Sequence, residues 1–288
     1  MAGSAAGATT PNRGREREVG VAQRLITGFI LAPILIWTVL FAPKPVFFVL
    51  LGLAAAQGVD ELVRMYADIR IRDRVALVPL ALVTLVAVGA REFWLIPAVV
   101  PVAWLGWCLI RPGTVEAAGK RAEIGMLSLA YVATLFGVIV QLFSLAAVPA
   151  GGRFDIGRGA VLSLLIVVFC GDTGAYFAGR SLGRHKLYEL ISPKKTLEGA
   201  LGGLLASIIG GAIAQRYLMP QLSVVQGLLL GASAGIVGQI GDLAESLFKR
   251  ATGTKDSGGL LPGHGGILDR LDGVIFAAPV VLAWVLFH

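Results

Sequence analysis

The chain has 288 residues, 56% hydrophobic and 15% charged, with a net charge of +7. Soluble domains carry about 25% charged residues, so this composition excludes a soluble globular fold and defines an all-α, polytopic integral membrane protein. The cationic excess belongs to membrane topology and anionic-lipid contact, and nucleic acid is not expected as a partner.

Residues 1–20 are small, polar and charged and read as a disordered cytoplasmic tail, with no apolar core that would mark a cleaved signal peptide. Residues 21–150 form a scaffold half with apolar runs at Leu25–Phe41, Val46–Val63, Val75–Ala90, Phe93–Ile110 and Ile124–Val148. Residues 151–288 add Ala160–Ala178, Gly199–Gln215, Leu222–Ile240 and Gly273–Phe287, for nine spans in all. The second, third and last fall short of the roughly 20 residues a bilayer demands, so the second and third are short enough to pair as a re-entrant hairpin. With a cytoplasmic N-terminus, 20 of the 25 Lys and Arg residues lie inside, leaving Lys44, Arg91, Arg153, Arg158 and Arg216 outside, as the positive-inside rule expects. Cys108 and Cys170 fall within spans and read as small packing groups, not as a disulfide.

The scaffold half carries only Asp60 and Glu61 within its apolar runs, whereas Asp172, Glu198, Asp242, Glu245, Asp269 and Asp272 mark the second half as the one with chemistry. Asp172, in Gly171-Asp172-Thr173-Gly174-Ala175-Tyr176, is an intramembrane acid and by that fact a site candidate; hydrogen bonding to Arg180 or Arg184 is the plainer alternative. Ser192-Pro193-Lys194-Lys195-Thr196 reads as a helix start, with Ser192 as N-cap and Pro193 at the first position. Two lysines in a first turn oppose the helix dipole, which points to a docked phosphate or anionic head group, against an ordinary positive loop. Glycines at 199, 202, 203, 210, 211, 231, 235 and 238 allow close helix contact, or leave room for a lipid chain.

Asp242, Glu245 and Lys249 share a helical face, and Asp269 and Asp272 repeat the three-residue spacing. Two such pairs suit Mg²⁺, which prefers carboxylates combined with substrate phosphates; the alternative is a salt-bridge network with Lys249, Arg250 and Arg270. Between them Gly263, Gly265 and Gly266 bracket His264, a pattern that lets backbone amides approach phosphate, with His264 as a general acid or phosphate donor.

The stretch Ser246-x-x-Lys249-Arg250, Lys255-Asp256, Leu261-Pro262-x-His264-Gly265-Gly266-x-x-Asp269-Arg270-x-Asp272 resembles the C-terminal signature of the integral-membrane CDP-diacylglycerol synthases, or phosphatidate cytidylyltransferases. Gly171–Tyr176, Ser192–Gly199 and Gly241–Ser246 are similar to further motifs of that family, and the likeness is dense over residues 160–288. It departs at Asp60-Glu61-Leu62, where the family has Trp-Glu-aromatic, and at Gly273, where Ser is common. The resemblance implies cytidylyl transfer from CTP to phosphatidic acid at the cytoplasmic face of a bacterial inner membrane, with a homodimer left open. It implies Mg²⁺ on Asp242 and Asp269, with Asp272 and Glu245 as additional or outer groups and room for a second metal or a monovalent cation. Lys249, Arg250, Lys255 and Arg270 would neutralise the triphosphate, and Lys194 and Lys195 the lipid phosphate. Asp172, Ser192, Glu198, Ser246, Gly263, Gly265, Gly266 and His264 complete the expected site. A CTP-dependent polyprenol kinase is the nearest rival, and a cation-coupled transporter a remoter one, since the first five spans supply no polar path.

Overall fold

The structure, a computed structural model, describes residues 33–66, 69–90, 95–111, 113–148, 154–258 and 265–287. Residues 33–41 are the described part of a first helix, α1. There follow α2 (Lys44–Met65), α3 (Ile71–Ala90), α4 (Ile96–Ile110), α5 (Val115–Leu127), a π-helical turn (Ser128–Ala133), α6 (Thr134–Ser144), α7 (Ile156–Leu182), the strands β1 (Lys186–Tyr188) and β2 (Ser192–Thr196), α8 (Leu197–Tyr217), α9 (Val224–Ala251) and α10 (Leu268–Phe287). Among the described residues seven helices are long and apolar enough to cross a membrane, counting Val115–Ser144 as one, and Ile96–Ile110 is a shorter apolar helix. The tail at residues 1–20 and the first half of the first span lie outside the described residues.

The expected re-entrant hairpin is not formed. α2 has 22 residues and α3 has 20, which at 1.5 Å per residue gives about 30 Å, a full hydrocarbon thickness. Both helices extend past their apolar runs because their terminal charges are neutralised in place. Asp60 pairs with Arg64 at 2.6 Å and with Arg74 at 3.0 Å. Asp73, 1% exposed, accepts from Trp107 Nε1 at 3.1 Å and Arg111 Nε at 3.2 Å, tying α3 to α4.

Ser192–Thr196 is likewise a strand and not a helix start. β2 pairs antiparallel with β1, Tyr188 facing Ser192 and Lys186 facing Thr196. The helix begins at Leu197, and Thr196 is its N-cap, its hydroxyl accepting from the Gly199 amide at 3.1 Å. Thr196 competes well for that cap, and Glu198 in the first turn suits the helix dipole, as two lysines there would not. Lys194 and Lys195 therefore precede the helix on an extended backbone, from which Lys195 reaches Asp242 of α9.

α7, α8 and α9 pack through small residues. A Cβ on Gly202 would collide with Ala178 Cβ, one on Gly211 with the Gly227 carbonyl, and one on Gly231 with the Ser207 carbonyl. The apolar core beyond them is led by Trp104, Phe136 and Phe143, with Trp104 filling the space over Gly125. At the end of the bundle opposite the carboxylates, Arg158 donates to the carbonyls of Val39 at 3.2 Å and Ala42 at 3.1 Å, closing the exposed end of α1. Lys44 does the same for Ser144 at 3.3 Å. Cys108 and Cys170 are both free, as expected.

Gly211→Leu and Gly231→Leu should each force α8 from α9 and lower stability by about 1–3 kcal/mol, the usual cost of overpacking. A thermal melt in detergent reads this out, and an unchanged midpoint in both variants would refute the close crossing.

Candidate active site

The site is built where helix ends meet. The C-terminal ends of α2, α7 and α9 and the N-terminal end of α10 converge with the β1–β2 hairpin. Free backbone amides at the start of α10 need acceptors and favour negative charge. Glu61, on α2 and 1% exposed, supplies it. Its carboxylate accepts from the amides of Ile267 and Leu268, each at 3.0 Å, from Ser257 Oγ at 3.3 Å, and from Gln57 Nε2 at 3.0 Å.

Asp269, one residue into α10, is held by a second set of donors. Lys249 Nζ reaches Oδ1 at 2.7 Å, and Oδ2 accepts from Ser257 N and Oγ, each at 2.9 Å, and from Gly266 N at 2.8 Å. Lys249 also lies 3.2 Å from Glu245 Oε2, so it bridges α9 to α10. The glycines of this loop serve the two acids. Gly265 has φ +79°, a conformation that favours glycine. A Cβ on Gly266 would strike Ser257 Oγ and Glu61, and one on Gly258 would come within 2.9 Å of the Glu61 carboxylate. The anion at the Gly266 amide is thus the protein's own Asp269, where the glycine pattern alone pointed to phosphate.

Beside this cluster a cavity of about 590 Å³ is lined by Asp172, Tyr176, Arg180, Lys194, Lys195, Gln239 and Asp242, among others. Lys195 Nζ stands 2.6 Å from Asp242 Oδ2, joining β2 to α9. Arg180 donates to the Tyr176 hydroxyl at 2.7 Å. A second cavity, about 720 Å³ and apolar, is lined by Ile36, Leu40, Leu165, Phe169, Thr173 and Ala206, among others. The two share one stretch of α7: Cys170, Thr173 and Gly174 face the apolar cavity, while Asp172, Ala175 and Tyr176 face the polar one.

Of the expected residues, Asp172, Lys194, Lys195 and Asp242 thus share one cavity. Glu245, Lys249 and Asp269 form the adjoining ionic cluster, and Asp272 accepts from the Gly273 amide at 2.8 Å at the next turn of α10. Others stand apart. Glu198 accepts from the amides of Arg184 at 3.1 Å and His185 at 3.2 Å, and lies 2.6 Å from His185 Nδ1, so it fastens the hairpin base. Ser192 is spent on strand pairing. Arg250 reaches the Ile191 carbonyl at 3.2 Å, and Lys255 is exposed on the loop after α9. Gly263 and His264 lie outside the described residues.

Sequence reading missed Glu61, which it assigned to scaffold, and Arg180 and Gln239, which line the cavity. The signal for Glu61 was an acid inside an apolar helix with Gln57 one turn before it. For Gln239 it was a three-residue spacing from Asp242.

The carboxylates fit a hard cation. Glu245 is 1% exposed and its Oε1 has no hydrogen-bond partner, a costly condition for a buried acid. Among the described residues no three of His, Cys, Asp and Glu are gathered closely enough to cage an ion alone. A cation held here would have to be one that, like Mg²⁺, takes one or two carboxylates and completes its shell with water and substrate phosphates.

Comparison with known proteins places the chain firmly. Residues 22–288 match the cytidylyltransferase family, and the chain belongs to that family. It is 30% identical over 268 residues to the phosphatidate cytidylyltransferase of Bacillus subtilis (strain 168), covering 91% of this chain and 96% of that protein. It is 46% identical over 121 residues to the phosphatidate cytidylyltransferase of Staphylococcus epidermidis and 45% over 133 residues to that of Synechocystis. In these two alignments the chain spans about half the length of the relative, 46% and 45% respectively.

Glu61→Ala would leave the amides of Ile267 and Leu268 short of an acceptor, at about 1–3 kcal/mol for each group left unsatisfied, while the Ser257 hydroxyl keeps Asp269. The expected result is a lowered melting midpoint together with faster amide exchange at Ile267 and Leu268; wild-type exchange at both would refute the cap.

Proposed function

We propose that this protein transfers a cytidylyl group from CTP to phosphatidic acid, releasing pyrophosphate and leaving CDP-diacylglycerol in the bilayer. The observation that carries the reading is on α7, which has an apolar groove on one side and, along the same turns on its other side, a cavity lined by Lys194, Lys195, Asp172 and Asp242. A substrate with an acyl chain and a phosphate calls for both environments close together. Membership of the cytidylyltransferase family supports the choice of CTP as the other substrate.

In this reading Lys194 and Lys195 receive the lipid phosphate, Lys195 exchanging its contact with Asp242 for a phosphate oxygen. That oxygen attacks the α-phosphorus of CTP in line, the bond to the β-phosphate oxygen breaks, and the electron pair leaves with pyrophosphate. Such transfers depend mainly on positioning and charge neutralisation. Lys249 and Arg270 neutralise the triphosphate, whereas Arg250 and Lys255, which stand apart from the cavity, take no part in this step. Asp242, Asp269, Asp272 and Glu245 are the groups that would hold Mg²⁺, which supplies further neutralisation of the phosphates when bound. Lys249 holds Asp269 in position for the ion that it would help to bind. The carboxylate end of the bundle faces the cytoplasm of a bacterial inner membrane, where CTP is available and where the basic residues concentrate.

CTP labelled in the α-phosphate should pass its label to lipid, and γ-labelled CTP should not; γ-label in the lipid would make the protein a kinase instead. Asp242→Asn and Asp272→Asn should each lower turnover at saturating Mg²⁺ at least a hundredfold while keeping the wild-type melting midpoint. Activity above a tenth of wild type in both would remove them from the site.

The orientation is tested with single cysteines in a background without Cys108 and Cys170. Lys255→Cys and Gln221→Cys, both at exposed positions, should label from opposite sides of sealed vesicles with an impermeant maleimide. Labelling from one side would contradict the assigned orientation.

A further inference from the structure

The π-helical turn Ser128–Ala133 interrupts an otherwise continuous helix, and Tyr131 lies in its middle. Such single π turns often mark functional positions, because the extra residue re-aims a side chain. Here the Tyr131 ring enters between α9 and α10. Its centroid is 5.5 Å from that of Phe248 and 5.4 Å from that of Phe276. Phe248 lies three residues after Glu245, and Phe276 four after Asp272, so each aromatic shares a helical face with one acid. The ring is therefore fixed beside the Glu245 and Asp272 side chains.

Tyr131 is 5% exposed and its hydroxyl has no hydrogen-bond partner, and Glu245 Oε1, also buried, has none either. Burying a hydroxyl without a partner costs about 1–3 kcal/mol. For packing between Phe248 and Phe276 alone, phenylalanine would serve better. Two unsatisfied buried groups, a donor and an acceptor, on surfaces that already pack together call for a shared purpose.

We propose that Tyr131 is a positioning residue, its hydroxyl donating to the Glu245–Asp272 carboxylate pair in the loaded site and fixing which oxygens are turned toward the bound cation. The role rests on the reading of these carboxylates as cation ligands. It draws one helix of the supposed scaffold into the chemistry and gives the π turn around Tyr131 a purpose.

The test uses the full chain in detergent with Mn²⁺ as the probe, its binding followed by electron paramagnetic resonance. Tyr131→Phe keeps the ring and should melt at or slightly above the wild-type temperature without metal. It should bind Mn²⁺ about tenfold more weakly and lose ten- to a hundredfold in kcat, with KM for CTP and for lipid within twofold of wild type. Tyr131→Leu should show the same losses plus a lowered melting temperature from the missing ring. Wild-type Mn²⁺ affinity and kcat in Tyr131→Phe would overturn the proposal and leave Tyr131 a packing residue. Absence of Mn²⁺ binding by the wild-type protein would instead overturn the cation reading itself, and the role of Tyr131 with it.

Discussion

The buried carboxylate of Glu61 is the contact on which the arrangement of the site depends. It reaches from α2 to the first amides of α10, more than two hundred residues away in sequence, and closes on Ser257 as well. A buried acid is tolerable only where donors surround it, and a helix N-terminus offers several pointing the same way. Once Glu61 fixes the start of α10, the height of Asp269 and Asp272 relative to α9 follows. Ser257, which donates to both Glu61 and Asp269, makes the two acids parts of one network.

The same principle explains how so much charge persists beside apolar helices. Four acids at this end of the bundle are matched to donors: Asp60 to arginines on α2 and α3, Asp73 to Trp107 and Arg111, Asp242 to Lys195, Asp269 to Lys249 and two backbone amides. These contacts hold helix ends together as well as satisfying charge. Glu245 and Tyr131 each bury an unpartnered oxygen, as Asp73 does with its second one, and the Tyr131 ring packs on Phe248 and Phe276, which lie one turn from Glu245 and Asp272. Native structures rarely leave such groups unsatisfied without a functional cause.

Small residues set how closely α7 and α8 approach, between the two cavities. α7 and α8 approach so closely through Gly174, Gly202 and Ala206 that no side chain fits between them there. The space that larger side chains would fill is displaced to either side of α7. The apolar groove opens on one side and the polar cavity on the other, and a short run of α7 separates them.

The membrane class and the helical segments were legible in the sequence, because hydropathy is a local property; the assignment of residues 21–150 to scaffold overlooked Glu61, whose carboxylate caps α10. The motif from Ser246 to Asp272 likewise pointed to phosphate chemistry through its residue types alone. The helix start assigned to Ser192 failed because Ser192 and Thr196 can both act as caps, and only pairing with Lys186–Tyr188 selects Thr196. The hairpin assigned to α2 and α3 failed because charged ends were counted against a span that their partners on other helices neutralise. Glu61, Tyr131 and the glycines of the loop could not be given their roles from sequence, since each acts on a group distant along the chain. Local composition determined what the protein is made of and where it sits; only the meeting of α2, α9 and α10 decided which charges face one another.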